Sequence, residues 1–368
     1  MKIYPILSSV ACVLLALATQ VMAQTTVTTP TVGFVTGTCK AGSDTVLSVP
    51  FSQPPVFVGT VSGSLNIVST SATVTATVTS GSTGPAWTTN QFASLYYVKF
   101  SSGALSGKLY TITANDAGTI TFYTENDNVT GAVAGDAFSV VKYWTLGDLF
   151  QPGVQTAIVP SANRLQIKSK VGIPNTTGTG TGVGINLAIN QWFILVGTGT
   201  SGKWQSTPNG VDATNQLLYP DTYFVVRHTP GQVTADTTYT FTGQVSYDRA
   251  VTPLLTGSAA KQDNFVAVQR PVALTLSQLF NVTGSTGFVQ SKNRLQTADQ
   301  LLLFDNTTSG INKAPSSPLI MVSGTWMNLS GSNANNVTLQ PGMGFIVRKA
   351  PVVGGTTAFW ANDPTYSN

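Results

Sequence analysis

The chain contains one set of motifs twice, in the same order, and this duplication limits its fold more than any other feature. The segment "NRLQIKSKVGIPNTTGTGTGVGIN" (163–186) corresponds to "NRLQTADQLLLFDNTTSGIN" (293–312). Four further pairs accompany them: "TLGDLF" (145–150) with "TLSQLF" (275–280), "SGKW" with "SGTW", "LYPDTYFVVRH" (218–228) with "LQPGMGFIVRK" (339–349), and "TTYTF" (237–241) with "TTAFW" (356–360). The spacing changes only by loop-sized amounts. Because solenoid repeats have much shorter periods, we predict two tandem copies of one module.

The first copy is interrupted by an insertion. The segment "SDTVLSVP" (43–50) resembles "QDNFVAVQ" (262–269), with Asp44 and Asp263 in corresponding places. In the second copy this strand leads almost directly into "TLSQLF", whereas in the first copy a long segment precedes "TLGDLF". We predict a signal peptide at 1–23, a first module at 24–59 plus 144–250, an inserted β domain at 60–143, and a second module at 251–368.

Composition and alternation both indicate strands. Charged residues make up only 9% of the chain and Glu125 is its only glutamate, so residues that favour helices are scarce. The segment "SATVTATVTS" (71–80) alternates strictly and places on one face Ala72, Val74, Ala76 and Val78. Only "TLGDLF" and "TLSQLF" resemble short helical turns. The predicted fold is all-β, with two tandem copies of a β-sandwich or barrel-like module, the first interrupted by a small β-barrel-like domain.

The first residues have the features of a secretory signal peptide. Lys2 gives a positive start, residues 6–18 are almost entirely apolar, and "VMA" (21–23) offers small residues for cleavage. The apolar stretch is shorter than the about 20 residues that a membrane helix requires. We therefore expect a mature chain that starts at Gln24, has no transmembrane segment, and is secreted, extracellular or at the cell surface.

Cleavage would leave Cys39 as the only cysteine, so no disulfide could form within the mature chain. No base adjacent in sequence supports a reactive thiol, and we favour a buried cysteine. The net charge of +4 is spread over the whole chain and forms no basic patch. We therefore expect no nucleic-acid partner.

Charged residues recur at matching positions in the two copies. Arg227 and Arg348 each follow a proline turn and an apolar strand. We predict structural ion pairs with Asp44 and Asp263; the alternative is a surface for anions or sugars, since a guanidinium is a planar fork of donors. The arginines of the NRLQ motifs, Arg164 and Arg294, are interpreted in the same way, and the asparagines of these motifs, Asn163 and Asn293, are expected to bind backbone at a turn.

Three tryptophans are candidates for binding carbohydrate. Trp204 and Trp326 follow glycine-containing turns in the two copies, and Trp87 lies within the insertion. Exposed, they would stack on sugar rings; buried, Trp204 and Trp326 would anchor the two cores. We favour the core interpretation because both copies keep these residues. Trp144, at the far edge of the insertion, is expected to pack between domains.

No stretch of the sequence predicts a catalytic or metal site. His228 is the only histidine, and the second copy has Lys349 in its place, so we interpret His228 as a solvated loop residue. A catalytic triad, a GxSxG motif and a zinc site are therefore not supported. The segment "GTGTGVG" (178–184) lacks the ending of a phosphate-binding loop. The acidic segment "ENDN" (125–128) with Asp136 could bind calcium weakly, but an Asn/Asp-rich turn explains it more simply. We predict no catalytic residues, no metal and no cofactor.

The combination "VGFVTGTCKAGSDTVLSVPFSQPPVFVGTV", "YWTLGDLF", "KQDNFVAVQRPVALTLSQ", "LLLFDNTTSGINKAPS" and "LQPGMGFIVRKA" resembles a bacterial family of exported paralogous proteins, found mainly in verrucomicrobial genomes. The resemblance covers nearly all of the mature chain. It implies export and a β-rich body, and it implies no particular activity or ligand. Many paralogues in one genome would suit surface display or varied binding.

Two functions are compatible with these observations. The first is a non-enzymatic exported surface or extracellular protein, structural or adhesive, whose duplicated modules present the inserted domain. Its partners would be cell-envelope polysaccharide or other copies of the same chain. The second is a carbohydrate-binding or carbohydrate-active protein that uses Trp and Asp on a β face.

Overall fold

Strands form nearly all of the regular structure, and the all-β prediction is confirmed. The computed structural model describes residues 31–77, 86–124, 127–174, 184–280 and 287–366. The α-helices among these residues are single turns, α1 (Leu146–Leu149) and α2 (Leu276–Leu279), in the "TLGDLF" and "TLSQLF" motifs. Thr145 and Thr275 cap them, because each hydroxyl accepts a hydrogen bond from the backbone N–H of the third residue that follows. A 3-10 turn lies at Gly199–Ser201.

Five antiparallel strands form the first sheet: β2 (Asp44–Leu47), β11 (Ser169–Ile173), β12 (Gln191–Val196), β13 (Lys203–Thr207) and β15 (Phe224–His228). Their order is β13-β12-β11-β15-β2. The second sheet contains β18 (Gln262–Ala267), β20 (Gln300–Leu303), β21 (Leu319–Val322), β22 (Thr325–Asn328) and β24 (Gly344–Lys349). Its order is β22-β21-β20-β24-β18, so the two sheets correspond strand by strand.

A two-stranded ribbon packs on each sheet. The first ribbon joins β1 (Val32–Cys39) to β16 (Thr237–Gln244), and the second joins β17 (Ala250–Leu255) to β25 (Thr357–Asn362). A pair of two-residue strands accompanies each sheet. In the first, β10 (Trp144–Thr145) pairs with β14 (Leu217–Leu218), and in the second, β19 (Leu274–Thr275) pairs with β23 (Thr338–Leu339). We call each sheet with its ribbon and short pair the first and the second module.

Each module is a sandwich with an aromatic core between its sheet and its ribbon. In the first module Phe241 of the ribbon lies 5.9 Å from Phe150, ring centre to ring centre. In the second, Trp360 stacks on Phe280 at 4.7 Å. Phe150 and Phe280, which directly follow α1 and α2, thus occupy equivalent places in the two cores.

The inserted segment forms a closed six-stranded barrel. Its strands are β3 (Pro55–Val61), β5 (Ser71–Thr77), β6 (Tyr96–Phe100), β7 (Leu109–Asn115), β8 (Thr119–Tyr123) and β9 (Ala137–Lys142). The order β3-β9-β6-β7-β8-β5 closes because β5 pairs again with β3, and β4 (Asn66–Val68) adds to β5.

The barrel core follows the predicted alternation. Ala72, Val74 and Ala76 are buried inside it, while Val78 lies outside the described residues. The barrel begins at Pro55, earlier than the predicted boundary at residue 60, because β3 pairs with β9 from Pro55 onward. In the described part of the chain, no helix is long and apolar enough to cross a bilayer.

Candidate functional site

The matched charged residues form two buried ion pairs, one in each module. Asp44 and Arg227 lie directly opposite each other on β2 and β15. The guanidinium donates from Nε to Oδ1 at 2.5 Å and from Nη2 to Oδ2 at 2.6 Å. Asp263 and Arg348 repeat the arrangement on β18 and β24, at 2.6 Å and 2.9 Å. Such bidentate pairs fix the relative position of both side chains as well as neutralising them.

Each ion pair also binds an asparagine of the other module. Asn312, from the second module, accepts a hydrogen bond from Arg227 Nη2 at 2.7 Å, and its backbone N–H donates to Asp44 Oδ2 at 2.7 Å. Asn186, from the first module, makes the same two contacts with Arg348, at 3.0 Å, and with Asp263, at 2.7 Å. The contacts are reciprocal, so each module holds the other by the same residues.

The glycine of each "GIN" triplet binds the backbone of the edge strand of the other module's sheet, β2 or β18. The carbonyl of Gly310 accepts from Asp44 N at 2.8 Å, and the carbonyl of Gly184 accepts from Asp263 N at 2.8 Å. The asparagine that ends each triplet has a positive φ, 57° at Asn186 and 54° at Asn312. Asparagine tolerates this left-handed conformation better than most residues, which explains its use at this turn. We call these contacts together the reciprocal junction.

An apolar cluster shared by the two modules lies beside the reciprocal junction. Tyr223 of the first module packs edge-on against Phe265 and Phe304 of the second, at 5.2 Å and 5.5 Å between ring centres. Val225 and Ile346 are buried in the same cluster. Burial raises the pKa of Tyr223 well above its usual value. The strand β15 therefore packs its own module's core on one face and the other module on the opposite face.

Trp192 extends the first junction on the side of β12. Its ring lies 4.6 Å from the Arg227 guanidinium carbon and 4.4 Å from Lys170 Nζ. Burial, with the nearby charge of Arg227, lowers the pKa of Lys170. Cation–π contacts of this kind hold both cations over the half-buried ring. Trp192 was not among the aromatic candidates of the sequence analysis, since the corresponding residue of the second copy is Pro318 and no tryptophan is repeated there.

Of the three tryptophans considered for stacking on sugar rings, two are buried in the module cores and one is half-buried in the barrel. Trp204 and Trp326 are 0% and 1% exposed, so no sugar ring can stack on them, and this burial corrects the carbohydrate alternative for both. The Trp204 indole N–H donates to the Phe150 carbonyl at 3.1 Å. Trp87 is half-buried and packs edge-on against Phe57 and Phe92 in the barrel. It is the one member of the three with a surface that a ligand can reach.

His228 is buried in the first module, which corrects its interpretation as a solvated loop residue. Its Nδ1 hydrogen-bonds to Ser169 Oγ and its Nε2 to Thr237 Oγ1, both at 2.8 Å. The Thr237 hydroxyl donates to the Ala157 carbonyl at 2.9 Å, so it accepts from Nε2–H, while Nδ1 pairs with the Ser169 hydroxyl. Both ring nitrogens therefore have a hydroxyl partner. Burial lowers the pKa of His228.

The stability of the chain is expected to fall in mild acid because of His228. A histidine whose folded pKa is lowered contributes its full stability above the unfolded pKa, about 6.5. That contribution is lost as the pH falls below this value toward the folded pKa. Urea unfolding between about pH 5 and pH 7.5 measures the effect. The variant His228→Asn, which leaves no histidine in the chain, should lose this part of the pH dependence; an unchanged slope would contradict the assignment.

The corresponding position of the second module holds a buried ion pair. Lys349 is 2% exposed and pairs with Asp299, which is 0% exposed. Lys349 Nζ also donates to the Gly287 carbonyl at 2.5 Å, and Asp299 accepts from Val289 N at 2.7 Å. In the first module Ser169 similarly accepts from Val159 N, at 3.1 Å. One buried polar position is thus filled by neutral groups in one module and by charges in the other.

The remaining candidates are engaged in local contacts. In the acidic segment, Asp127 binds Lys108 and Tyr110, each at 2.6 Å, and Asp136 caps the N–H of Val133. Glu125 and Asn126 lie outside the described residues, as does "GTGTGVG" apart from Gly184. Across the described ranges, no three His, Cys, Asp or Glu side chains are grouped so that they could hold a metal ion.

Two further predictions concern single side chains. Cys39 is buried, and this burial raises the pKa of its thiol to about 12, so it is not a ready nucleophile at neutral pH. Arg294 donates to the Ser330 carbonyl at 2.8 Å instead of forming the predicted ion pair. Asn163 and Asn293 each accept two backbone N–H bonds at their turn, as predicted.

The structure thus brings the predicted Asp and Arg residues together at one junction and leaves the three tryptophans apart. Sequence reasoning missed the role of Asn186 and Asn312, although the repeated "GIN" triplet was the signal that marked them. Comparison of the chain with protein-family models finds no matching family, and comparisons with curated proteins and with solved structures find no match either.

Proposed function

We propose that this chain is a non-enzymatic exported protein of the cell surface or the extracellular space, structural or adhesive, in which a duplicated β module presents the inserted barrel. The reciprocal junction is the observation that carries the proposal. The polar residues common to both modules are used to fasten one module to the other. An active site would instead need such groups to converge in a cleft open to a substrate.

The surface composition supports a protein that contacts uncharged material. Soluble proteins contain about 25% charged residues, whereas this chain contains 9%. The exposed face of the first ribbon is formed largely by threonines, among them Thr36, Thr38, Thr240 and Thr242. Hydroxyl-rich faces without charge suit contact with polysaccharide or with other copies of the chain. The signal-peptide pattern and the resemblance to exported bacterial proteins support the proposed location.

Fractionation of cells that express the full chain tests the proposal. We expect the processed protein in the cell-envelope or extracellular fraction, retained by isolated envelope or polysaccharide, or in particles larger than one chain by light scattering. The variant Ala23→Arg, which removes the small residue at the cleavage site, is the matched control for association through an uncleaved leader. Discrete monomers of processed protein with no affinity for envelope or polysaccharide would overturn the proposal.

For the carbohydrate-binding alternative, Trp87 is the one of the three predicted tryptophans that a sugar could still contact. A glycan array with the processed protein and with Trp87→Ala separates the two functions. If a glycan binds the wild type and not a folded Trp87→Ala variant, the protein binds carbohydrate through the barrel. If the two proteins give the same array pattern, Trp87 has no such role.

A further inference from the structure

Within the part of the chain that the structure describes, the outer edge of the first ribbon, formed by β1, is open. Strand β1 pairs with β16 along its whole length, from Val32 opposite Gln244 to Cys39 opposite Thr237. On the other side of β1, no backbone hydrogen bond joins it to the rest of the described chain. Its sequence "VGFVTGTC" contains no charged residue and no proline, and its register shows no bulge. Proteins normally block exposed edges with such features, because an open edge pairs with other strands.

The second ribbon provides an internal comparison. Phe241 in "TTYTF" and Trp360 in "TTAFW" hold the same place, and their partners across the two ribbons are Val35 and Thr252. This correspondence aligns the outward positions of β1 with those of β17: Phe34 with Val251, Thr36 with Pro253, and Thr38 with Leu255.

All three outward positions are blocked in the second ribbon. Val251 N donates to the carbonyl of Gly107 in the barrel at 3.0 Å. Pro253 has no N–H to offer a neighbouring strand. Leu255 is covered by the side chain of Asn264, which accepts from its N–H at 2.7 Å and donates to its carbonyl at 3.0 Å. Among the described residues, the chain thus blocks these three positions of the second ribbon edge and leaves the matching positions of the first edge without a backbone partner.

The open edge also borders an exposed face without charge. Phe34 is 74% and Val32 69% exposed, and the remaining exposed positions of the first ribbon are threonines. In the second ribbon the corresponding face meets the barrel, where Lys108 lies 4.2 Å from the ring centre of Phe359. A contact at the first ribbon would bury no ionised group and would carry no desolvation penalty for one.

We propose that β1 pairs antiparallel with β1 of a second copy of this chain, so that two first ribbons form one four-stranded sheet about a two-fold axis. Each β1 edge is then covered by the same edge of the other copy, so the dimer leaves no β1 edge exposed to a further chain. Even-numbered residues of β1 face outward, so a register of even opposite even keeps Phe34 and the threonines of both copies on one surface. The inference names a partner for the proposed surface protein but depends only on the geometry of the ribbon.

The variant Thr36→Pro tests the pairing. The N–H of Val251 points away from β25, so the N–H of Phe34, its counterpart, and that of Thr36, two residues further on, point away from β16. Proline at Thr36 should therefore remove the pairing with a second copy and spare the ribbon itself. Pro253 shows that this position of a ribbon accepts proline. Sedimentation equilibrium of the processed wild type should give a dimer, and Thr36→Pro should give a monomer with an unchanged circular dichroism spectrum.

Thr240→Lys is the matched control, because it adds a charge to the same face but on β16, the strand that takes no part in the proposed pairing. It should leave the dimer intact. Amide hydrogen exchange of the wild type is a second measurement that needs no variant: the N–H groups of Phe34, Thr36 and Thr38 should be protected only at concentrations where the dimer forms. A monomeric wild type, a dimeric Thr36→Pro, or a dimer broken by Thr240→Lys alone would each overturn the proposal. These outcomes are measured without cell envelope, so retention by envelope or polysaccharide remains a separate test of the proposed function.

Discussion

Replacing Asp263 by Asn is expected to lower the free energy of unfolding by about 3–5 kcal/mol, the usual loss when one partner of a buried ion pair is removed. The amide keeps the shape of the carboxylate but cannot neutralise Arg348, whose side chain is only 12% exposed. It also presents an NH₂ group where Asp263 accepts from the backbone N–H of Asn186. The variant therefore weakens an ion pair inside the second module and a hydrogen bond between the modules. Urea unfolding at neutral pH measures the loss.

The control for Asp263→Asn is the same substitution in an exposed ion pair. Arg249 and Asp363 are 46% and 62% exposed, so Asp363→Asn should cost only about 0–1 kcal/mol. Asp44→Asn should behave like Asp263→Asn, because Asp44 makes the same contacts with Arg227 and Asn312. If Asp263→Asn costs no more than Asp363→Asn, the junction does not hold the modules together.

The ion pairs of the junction could be predicted from sequence because each lies within one module. Asp44 and Arg227 recur as Asp263 and Arg348, and a charge that recurs with its partner indicates a pair. The crossing contact of Asn312 could not be predicted in this way. It depends on how the two modules dock, and that arrangement is set by the apolar cluster around Tyr223, which no local pattern specifies.

The misinterpretation of His228 has a related cause. A polar residue at the end of an apolar strand is usually solvated, and the alternation in "FVVRH" does not distinguish an exposed position from a buried one with partners. Burial of the His228 ring is tolerated because Ser169 and Thr237 hydrogen-bond to its two nitrogens. Both residues lie outside the strand of His228, so its local sequence does not reveal them. The boundary of the barrel was shifted for a similar reason, since only closure of the sheet shows that Pro55 pairs with Val141.

Replacing His228 by Lys is expected to destabilise the chain by about 3–5 kcal/mol, because the ammonium would be buried without an acidic partner. In the background of Ser169→Asp the same replacement should cost far less. Ser169 and His228 occupy the places that Asp299 and Lys349 hold in the second module, where the pair is buried and hydrogen-bonded. The carbonyl of Ala157, which lies beside Thr237, corresponds to that of Gly287, so the transplanted lysine would find its second acceptor as well.

A double-mutant cycle with His228→Lys, Ser169→Asp and the double variant measures the coupling between the two positions in one set of urea unfolding curves. A favourable coupling of about 2 kcal/mol or more is expected, near the upper end of values for residues in direct contact. Because the pair is copied from the second module, such a rescue would mean that the two modules share a backbone frame accurate enough to exchange buried charges. Additive losses would contradict this, since they would show that the site around Ser169 differs from the site around Asp299 in more than its side chains.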